Sequence, residues 1–304
     1  MSIIVKQLSK EYQAQKAVDA IDFSIQPGEI VGFLGPNGAG KSTTMKMLTG
    51  FIPPTSGLAT VCNFDVQKNS EEVKKNIGYL PEHNPLYVDM YVKEYLAFVA
   101  GVYQVKDVAK RVQEMISLTG LEKEQGKLIR QLSKGYRQRV GLAAAMIHDP
   151  KVLILDEPTT GLDPNQIVEI RNVIKQIGKD KTVLLSSHIM QEVQAICSRV
   201  IIIHQGKIVL DTPIEDLKKR AGEGEGYVYL IELESEISSD AWKEISGIKK
   251  VEKQNALQWR ISADKDIRNV VLQKVVQMNW GLKGLQEEKQ SLEAVFQQLT
   301  QTKN

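Results

Sequence analysis

The chain has 304 residues, of which 42% are hydrophobic and 25% charged, a composition typical of a globular protein with one large domain or two ordinary ones. Its 39 basic and 37 acidic residues leave a net charge of +2, so the sequence shows no electrostatic footprint for nucleic acid. Two distant cysteines, Cys62 and Cys197, argue against a disulfide framework and fit a reducing compartment. We find neither a signal peptide nor an apolar window of about 18 residues, so work at a membrane would require a partner.

The first third of the chain predicts strands around one glycine-rich turn. Apolar and polar residues alternate through residues 1–26, which predicts two strands, expected to pair antiparallel. The apolar run from Glu29 to Gly35 predicts a buried strand, and the segment from Lys41 predicts a helix that ends at Gly50. A further strand leads into a loop that Pro81 and Pro85 keep extended.

The middle of the chain predicts a helical insertion followed by an alternating pattern. Residues 92–146 show helical spacing, and apolar strands at 151–158, 182–188 and 199–210 alternate with helical stretches. Such alternation predicts an α/β fold with a parallel sheet. We therefore predict a first domain over residues 1–220, with an antiparallel β part and a helical part over about residues 85–146.

The end of the chain predicts a smaller second domain over residues 221–304. It opens with the short glycine-rich linker "AGEGEG" at 221–226. The order strand, helix, two strands, helix, strand, followed by a last helix, predicts an α+β unit of the ferredoxin-like, split βαβ type. We see no catalytic constellation there and expect Trp242, Trp259 and Trp280 to be core residues.

The segment "GPNGAGKST" between a predicted strand and helix matches the phosphate-binding pattern G-x-x-x-x-G-K-[ST]. Backbone N–H groups of such a turn surround phosphates, its lysine reaches the β- and γ-phosphates, and its serine can ligate Mg²⁺. The motif predicts ATP and Mg²⁺ as ligands, although a strand–helix turn without a ligand would share the glycines. The candidate binding residues are Gly35, Pro36, Asn37, Gly38, Ala39, Gly40, Lys41, Ser42 and Thr43.

Two carboxylates end the apolar strand in "KVLILDEP". Ligands of α/β sheets bind at the carboxyl ends of strands, so Asp156 is placed to hold Mg²⁺ and Glu157 to polarise an attacking water as a general base. The alternative is a helix cap or a solvated turn.

These motifs resemble the nucleotide-binding subunits of ABC transporters, over about residues 1–220. The segment "LSKGY" at 132–136 is similar to the family's signature, Leu-Ser-Gly-Gly-Gln, which contacts the γ-phosphate of ATP on a second subunit. Ser133 and Gly135 match the signature, whereas Lys134 and Tyr136 depart from it. The resemblance implies that two chains meet head to tail to complete two sites; the alternative for Ser133 is an ordinary helix N-cap.

Three single residues extend the resemblance. His188 in "SSH" is similar to the family's switch histidine, Asp163 in "GLDP" to the loop through which two subunits sense each other, and Tyr12 to the aromatic that stacks on adenine. Each has a structural alternative, namely a strand-end histidine, an Asp-Pro turn residue and a core aromatic.

Glu82 in "GYLPEHNPLY" occupies the position of a family glutamine that touches Mg²⁺ and faces the membrane partner. A carboxylate can also ligate Mg²⁺, so Glu82 is a candidate metal ligand; the alternative is a solvent-facing loop residue.

The resemblance implies an ATP-hydrolysing subunit that pairs with a second ATP-binding subunit, expected to be an identical copy, and drives transport by a transmembrane permease. We expect it in the cytoplasm, on the inner face of the plasma membrane through that partner. The end of the chain resembles a bacterial exporter branch, and its first hundred residues are similar to gliding-motility, antibiotic-exporting and sodium-exporting subunits. The alternatives are a soluble, non-transport regulatory ATPase of the ABC type and a small-molecule kinase, which would have no use for the signature.

Overall fold

The computed structural model describes residues 1–13, 15–217, 227–242, 245–287 and 292–300. The chain divides into two compact units, Met1–Ile214 and Glu215–Asn304. The predicted linker at 221–226 lies outside the described residues. In the first unit the order is β1 (Ile3–Tyr12), β2 (Gln15–Ile25), β3 (Ile30–Leu34), α1 (Lys41–Leu48), β4 (Ser56–Val61), β5 (Phe64–Asp65), α2 (Ser70–Asn76), β6 (Ile77–Leu80), α3 (Val92–Val102), α4 (Val108–Thr119), a 3-10 turn (Ile129–Gln131), α5 (Lys134–Met146), β7 (Val152–Leu155), α6 (Pro164–Ile177), β8 (Thr182–Ser187), α7 (Met190–Ile196), β9 (Arg199–His204) and β10 (Lys207–Pro213).

The central sheet has six strands in the order β10-β9-β3-β8-β7-β6. Strands β9, β3, β8, β7 and β6 are parallel, and β10 joins β9 as an antiparallel hairpin. All side chains of β7 and β8 are buried, as expected for strands covered on both faces. This arrangement confirms the predicted α/β fold. The carboxyl ends of β3, β7 and β8 meet at one edge, so the segments that begin at Gly35, Asp156 and His188 converge there.

A second sheet is antiparallel, in the order β2-β1-β4-β5. β1 pairs with β2 and β4, which confirms the predicted antiparallel pairing at the N-terminus. Its buried side chains join those of β3 and β7 in one core, in which Phe23 and Phe33 have ring centroids 5.6 Å apart. This core also holds Met45, Met47 and Leu48, which anchor α1 and therefore the loop that precedes it.

The segment between β6 and β7 carries the helices α3, α4 and α5, as predicted. Asp107 caps α4 by accepting a hydrogen bond from the Lys110 N–H, and the left-handed Gly120 ends it. Ser133 caps α5, where its side chain accepts a hydrogen bond from the Tyr136 N–H. The buried side of α5 consists largely of small residues, so this helix packs close to its neighbours.

The second unit contains β11 (Tyr227–Leu233), a 3-10 turn (Ser239–Trp242), β12 (Ile248–Lys253), β13 (Gln258–Ala263), α8 (Arg268–Gln277), β14 (Leu282–Glu287) and α9 (Leu292–Thr300). The sheet order is β12-β13-β11-β14, with every pair antiparallel. If the four strands of this unit are numbered 1 to 4 in chain order, the sheet order is 2-3-1-4, the arrangement expected for the predicted ferredoxin-like unit. The first predicted helix contains the 3-10 turn, and residues 243 and 244 lie outside the described residues. Trp242, Trp259 and Trp280 form part of the core, as predicted.

Within the described residues, no helix combines the length and the apolar character needed to cross a bilayer.

Candidate active site

The glycine-rich loop between β3 and α1 is shaped by the contacts of its backbone. Gly40 has φ +110°, and a Cβ atom there would lie 2.6 Å from the carbonyl oxygen of Ala17, so only glycine fits. Gly38, at φ +77°, faces open space instead, and nothing would lie within 4 Å of its Cβ. The loop therefore rests against β2 on one side and leaves its backbone accessible on the other.

Lys41 is nearly buried at the start of α1, with 5% of its surface exposed. Its amino group donates to the carbonyl oxygens of Gly35 at 2.8 Å and Pro36 at 3.2 Å. The same nitrogen lies 3.3 Å from Oε1 of Glu157. A buried ammonium requires such partners, so Lys41 joins the loop to the end of β7.

Ser42 and Asp156 meet at the same edge. The Ser42 hydroxyl donates to Oδ1 of Asp156 at 3.1 Å, and the Ser186 hydroxyl donates to the same oxygen at 2.7 Å. Burial raises the pKa of the Asp156 carboxyl; the two hydroxyl hydrogen bonds oppose this rise, whereas the negative charges of Glu82 and Glu157 add to it. Hydroxyl and carboxylate oxygens are the ligands that Mg²⁺ prefers, and a cation here would relieve this crowding of negative charge.

Glu157 has an unusual backbone conformation, with φ +50°. A non-glycine residue in this region costs about 1–3 kcal/mol and persists only where its surroundings hold it. Its N–H donates to the Ser186 hydroxyl at 2.8 Å, and its carbonyl accepts from the Thr160 N–H at 3.2 Å. These bonds aim the side chain toward the loop.

The two carboxylate oxygens of Glu157 have different surroundings. Oε2 accepts from the Thr160 hydroxyl at 3.1 Å and lies 2.9 Å from Nδ1 of His188. Oε1 accepts no hydrogen bond from the part of the chain that the structure describes, although the Lys41 ammonium lies nearby. Oε2 is therefore fixed by hydrogen bonds, whereas Oε1 is buried beside the Lys41 ammonium and becomes free for a reactant only if Lys41 turns away.

These side chains line one cavity of about 490 Å³. It is bounded by Ala17, Asn37, Gly38, Gly40, Lys41, Ser42, Thr43, Glu82, Glu157, Thr160 and His188. A second cavity of about 800 Å³ shares Ser42 and Glu82 with it and also includes Asp156. The structure thus brings together residues from the predicted loop, both strand-end carboxylates, Glu82 and His188.

The other candidate residues do not line the first cavity. Tyr12 is 48% exposed at the end of β1, with the Lys10 amino group 5.2 Å from its ring centroid, so it is not a core aromatic. Asp163 caps α6 by accepting from the Gln166 N–H at 3.0 Å. Gly135 is buried against the Gln166 side chain, which a Cβ there would approach to 2.5 Å.

Sequence reasoning missed several side chains that support the site. The hydroxyls of Ser186 and Thr160 hold Asp156 and Glu157, and Glu192 on α7 accepts hydrogen bonds from Thr159 and Ser187. The only signal for Ser186 and Ser187 is that two hydroxyls follow an apolar strand immediately before His188. Nothing local marks Glu192, because its partners are 33 and 5 residues away in the chain.

A phosphate-binding loop facing two carboxylates and a histidine at the carboxyl edge of a parallel sheet defines a P-loop nucleotide hydrolase. Comparison with known proteins identifies a family within this class. The sequence profile of the ABC transporter family matches residues 18–160. The chain is 40% identical over 224 residues to the bacitracin transport ATP-binding protein BcrA of Bacillus licheniformis, which covers 72% of this chain and 73% of that protein.

It is also 38% identical over 228 residues to the ABC transporter ATP-binding protein NatA of Bacillus subtilis, covering 73% of this chain and 93% of that protein. A solved structure of the ATP-binding subunit of an ABC transporter superposes with a TM-score of 0.66 at 29% identity, over 73% of this chain and 94% of that one. The chain therefore belongs to the ATP-binding subunits of ABC transporters. It is an ATP hydrolase that drives transport by a separate membrane protein, as the sequence predicted.

Proposed function

We propose that the chain is the Mg²⁺-dependent ATPase of an exporter, located in the cytoplasm on the inner face of the plasma membrane, where two copies close head to tail around two ATP molecules. The observation that carries this proposal is the meeting of Lys41, Glu157 and His188 in the cavity above the glycine-rich loop. It places a cation (Lys41), a proton acceptor (Glu157) and a group that can donate or accept a hydrogen bond (His188) in one cavity.

The loop supplies the phosphate site. The exposed backbone at Gly38 and the first N–H groups of α1 are oriented to receive phosphate oxygens. Lys41 exchanges its contacts with Glu157 and the loop carbonyls for the β- and γ-phosphates. Tyr12 is exposed at the end of β1 and available to stack on the adenine ring.

Ser42 and Asp156 would hold Mg²⁺, with Glu82 as a third oxygen ligand from the loop after β6. All three side chains offer oxygen atoms. Burial raises the pKa of Asp156, the negative charges of Glu82 and Glu157 add to this rise, and a cation there would offset both effects. When bound, the ion neutralises charge on the β- and γ-phosphates.

Glu157 accepts the proton of the attacking water. His188 donates through Nδ1–H to Oε2, and Thr160 donates to the same oxygen, so the carboxylate cannot rotate freely. Once Lys41 has moved to the phosphates, Oε1 is the oxygen that takes the proton, and Nε2 of His188, which lines the cavity, would contact the γ-phosphate.

A second copy completes each site. Ser133 and Gly135 at the start of α5 do not line the cavity of their own chain, so we assign them to the ATP of a partner copy. Asp163 caps α6, the helix whose Gln166 side chain lies against Gly135 in the single chain. Closure of the dimer therefore requires Gln166 to move.

The permease would dock in the second cavity. Its walls come from α3, α5 and the loop around Glu82, and it is rimmed by aromatic side chains, of which Phe51 is 73% exposed. A groove that combines aromatic rings with charged side chains such as Lys46 and Lys74 suits an amphipathic helix. Because Glu82 lines both cavities, a helix bound in this groove would act directly on the nucleotide site.

The identity to a bacitracin transport protein supports transport of a compound similar to bacitracin. A role in gliding motility stays a prediction.

The test is recovery of the tagged chain from detergent-solubilised membranes. We expect a stoichiometric polytopic membrane protein with the wild-type chain, its loss with Phe51→Asp, and its retention with Val209→Asp, a matched change at an exposed position on β10 outside both cavities. ATP binding is expected to be unchanged in both variants. Recovery of the wild-type chain from the soluble fraction alone would contradict the transporter role.

A further inference from the structure

Glu192 is a buried carboxylate that the proposed mechanism does not use. It lies in the first turn of α7 with 3% of its surface exposed. Oε1 accepts from the Thr159 hydroxyl and Oε2 from the Ser187 hydroxyl, both at 2.6 Å. Burying a carboxylate is costly, and short hydrogen bonds to both oxygens offset that cost.

The two partners of Glu192 adjoin the reacting side chains. Thr159 follows Glu157 by two residues, and Ser187 immediately precedes His188. The Ser187 hydroxyl also accepts from the Ile189 N–H at 3.0 Å, which fixes the turn just beyond His188. Glu192 therefore joins the loop that carries the base to the strand end that carries the switch histidine.

These contacts form a closed ring. Two of its links are covalent: the chain joins Glu157 to Thr159 and Ser187 to His188. Hydrogen bonds then connect Thr159 to Glu192 and Glu192 to Ser187. The 2.9 Å contact between His188 and Glu157 closes the ring. A ring fixes the relative position of two loops better than a single bond, because each link restrains the others. Thr160, which holds Oε2 of Glu157, lies within the same loop.

We propose that Glu192 is a positioning residue for ATP hydrolysis, which sets the distance between Glu157 and His188 without contacting nucleotide. This inference rests on the roles proposed above for those two residues. Glu192 does not line the nucleotide cavity, so its loss is expected to slow the chemical step and leave nucleotide binding intact. A displacement of about 1 Å in such a site can cost about 100-fold in rate.

The experiment compares turnover and nucleotide affinity in the full-length chain. Glu192→Ala is expected to reduce kcat by about tenfold to 100-fold, with the Kd for ATP unchanged within about twofold. Glu192→Gln spans the same gap and can accept from one hydroxyl while donating to the other, so it is expected to restore most of the turnover. Gln191→Ala, an exposed neighbour on the same helix, is the matched control and keeps wild-type turnover.

Three results would overturn the inference: wild-type kcat in Glu192→Ala, parallel loss of ATP affinity and kcat, or equal damage from Ala and Gln. If Glu192→Ala does not fold, Thr159→Val and Ser187→Ala test the same ring. Each is expected to lower kcat, and the double variant to be little slower than either, because one broken link already opens the ring. If the two substitutions lowered kcat independently, or if neither lowered it, the positioning role of Glu192 would be contradicted.

Glu157→Gln separates the two proposals. If that variant retains turnover, the proposed base is wrong. If it loses turnover while Glu192→Ala keeps it, only the role of Glu192 fails.

Discussion

The replacement of Glu157 by glutamine tests the proposed proton acceptor. The change preserves the shape of the side chain and its hydrogen bonds to Thr160 and His188, but it removes the negative charge and the basic oxygen. General bases contribute about 10²–10⁴-fold to rate, which corresponds to about 2.7–5.5 kcal/mol of transition-state stabilisation. We expect kcat of Glu157→Gln to be lower than that of the wild type by a factor of about 10²–10⁴.

The same change is expected to act differently on binding. The Lys41 ammonium lies 3.3 Å from Oε1, so the charge of Glu157 competes with phosphate for this cation. Without that charge Lys41 is easier to redirect, and ATP affinity is expected to equal or exceed that of the wild type. The chain should then accumulate as an ATP-bound dimer.

Two measurements decide the outcome. Phosphate release gives kcat, and size-exclusion chromatography with and without ATP gives the dimer fraction. Glu72→Gln is the control, because the Glu72 side chain is 44% exposed and lines neither cavity. Wild-type phosphate release by Glu157→Gln would refute the assignment of the base. Weaker ATP binding would refute the competition between Glu157 and phosphate for Lys41.

Three further predictions concern the metal, the charge balance and the division of the chain. If Glu82 ligates Mg²⁺, Glu82→Ala raises the Mg²⁺ concentration needed for half-maximal hydrolysis several-fold and Glu82→Gln raises it less; an unchanged requirement in both variants would contradict the ligand role. Because burial raises the pKa of Asp156, its ionised form is less favourable in the folded protein, and this destabilisation grows as pH rises through the folded pKa. Asp156→Asn is therefore expected to have a higher melting temperature than wild type at pH 7, and the difference between the two melting temperatures is expected to be smaller in acid. Hydrolysis is expected to fall at least tenfold. A lower melting temperature of the variant at pH 7 would contradict the reasoning. A chain that ends at residue 220 is expected to bind ATP as well as the full-length chain, measured by calorimetry, because every residue that lines the nucleotide cavity belongs to the first unit.

The nucleotide-facing part of the site could be predicted from sequence because each piece is local. The loop from Gly35 to Thr43 and the pair Asp156–Glu157 are contiguous segments whose strand–turn context can be read from apolar runs. Parallel strands then bring their carboxyl ends to one edge, so the fold class alone predicts that these segments meet.

The supporting contacts could not be predicted in this way. The hydrogen bond from Thr159 to Glu192 joins residues 33 apart, and its existence depends on how α7 is rotated against β8. The contact between Gly135 and Gln166 depends in the same way on how α6 lies against the start of α5. Helical periodicity defines which face of a helix is apolar, but it does not say which polar side chain on the buried side finds a partner.

The tryptophans of the second unit give the protein a built-in optical reporter. The chain has three tryptophans, and all of them lie in the second unit, where Trp242 and Trp259 are fully buried and Trp280 nearly so. Intrinsic tryptophan fluorescence therefore reports on the second unit alone, whereas the first unit contributes only tyrosine emission. If the two units melt separately, the shift of tryptophan emission and the loss of helical circular dichroism will follow different temperature curves, and a single two-state analysis of either signal will not describe the whole chain.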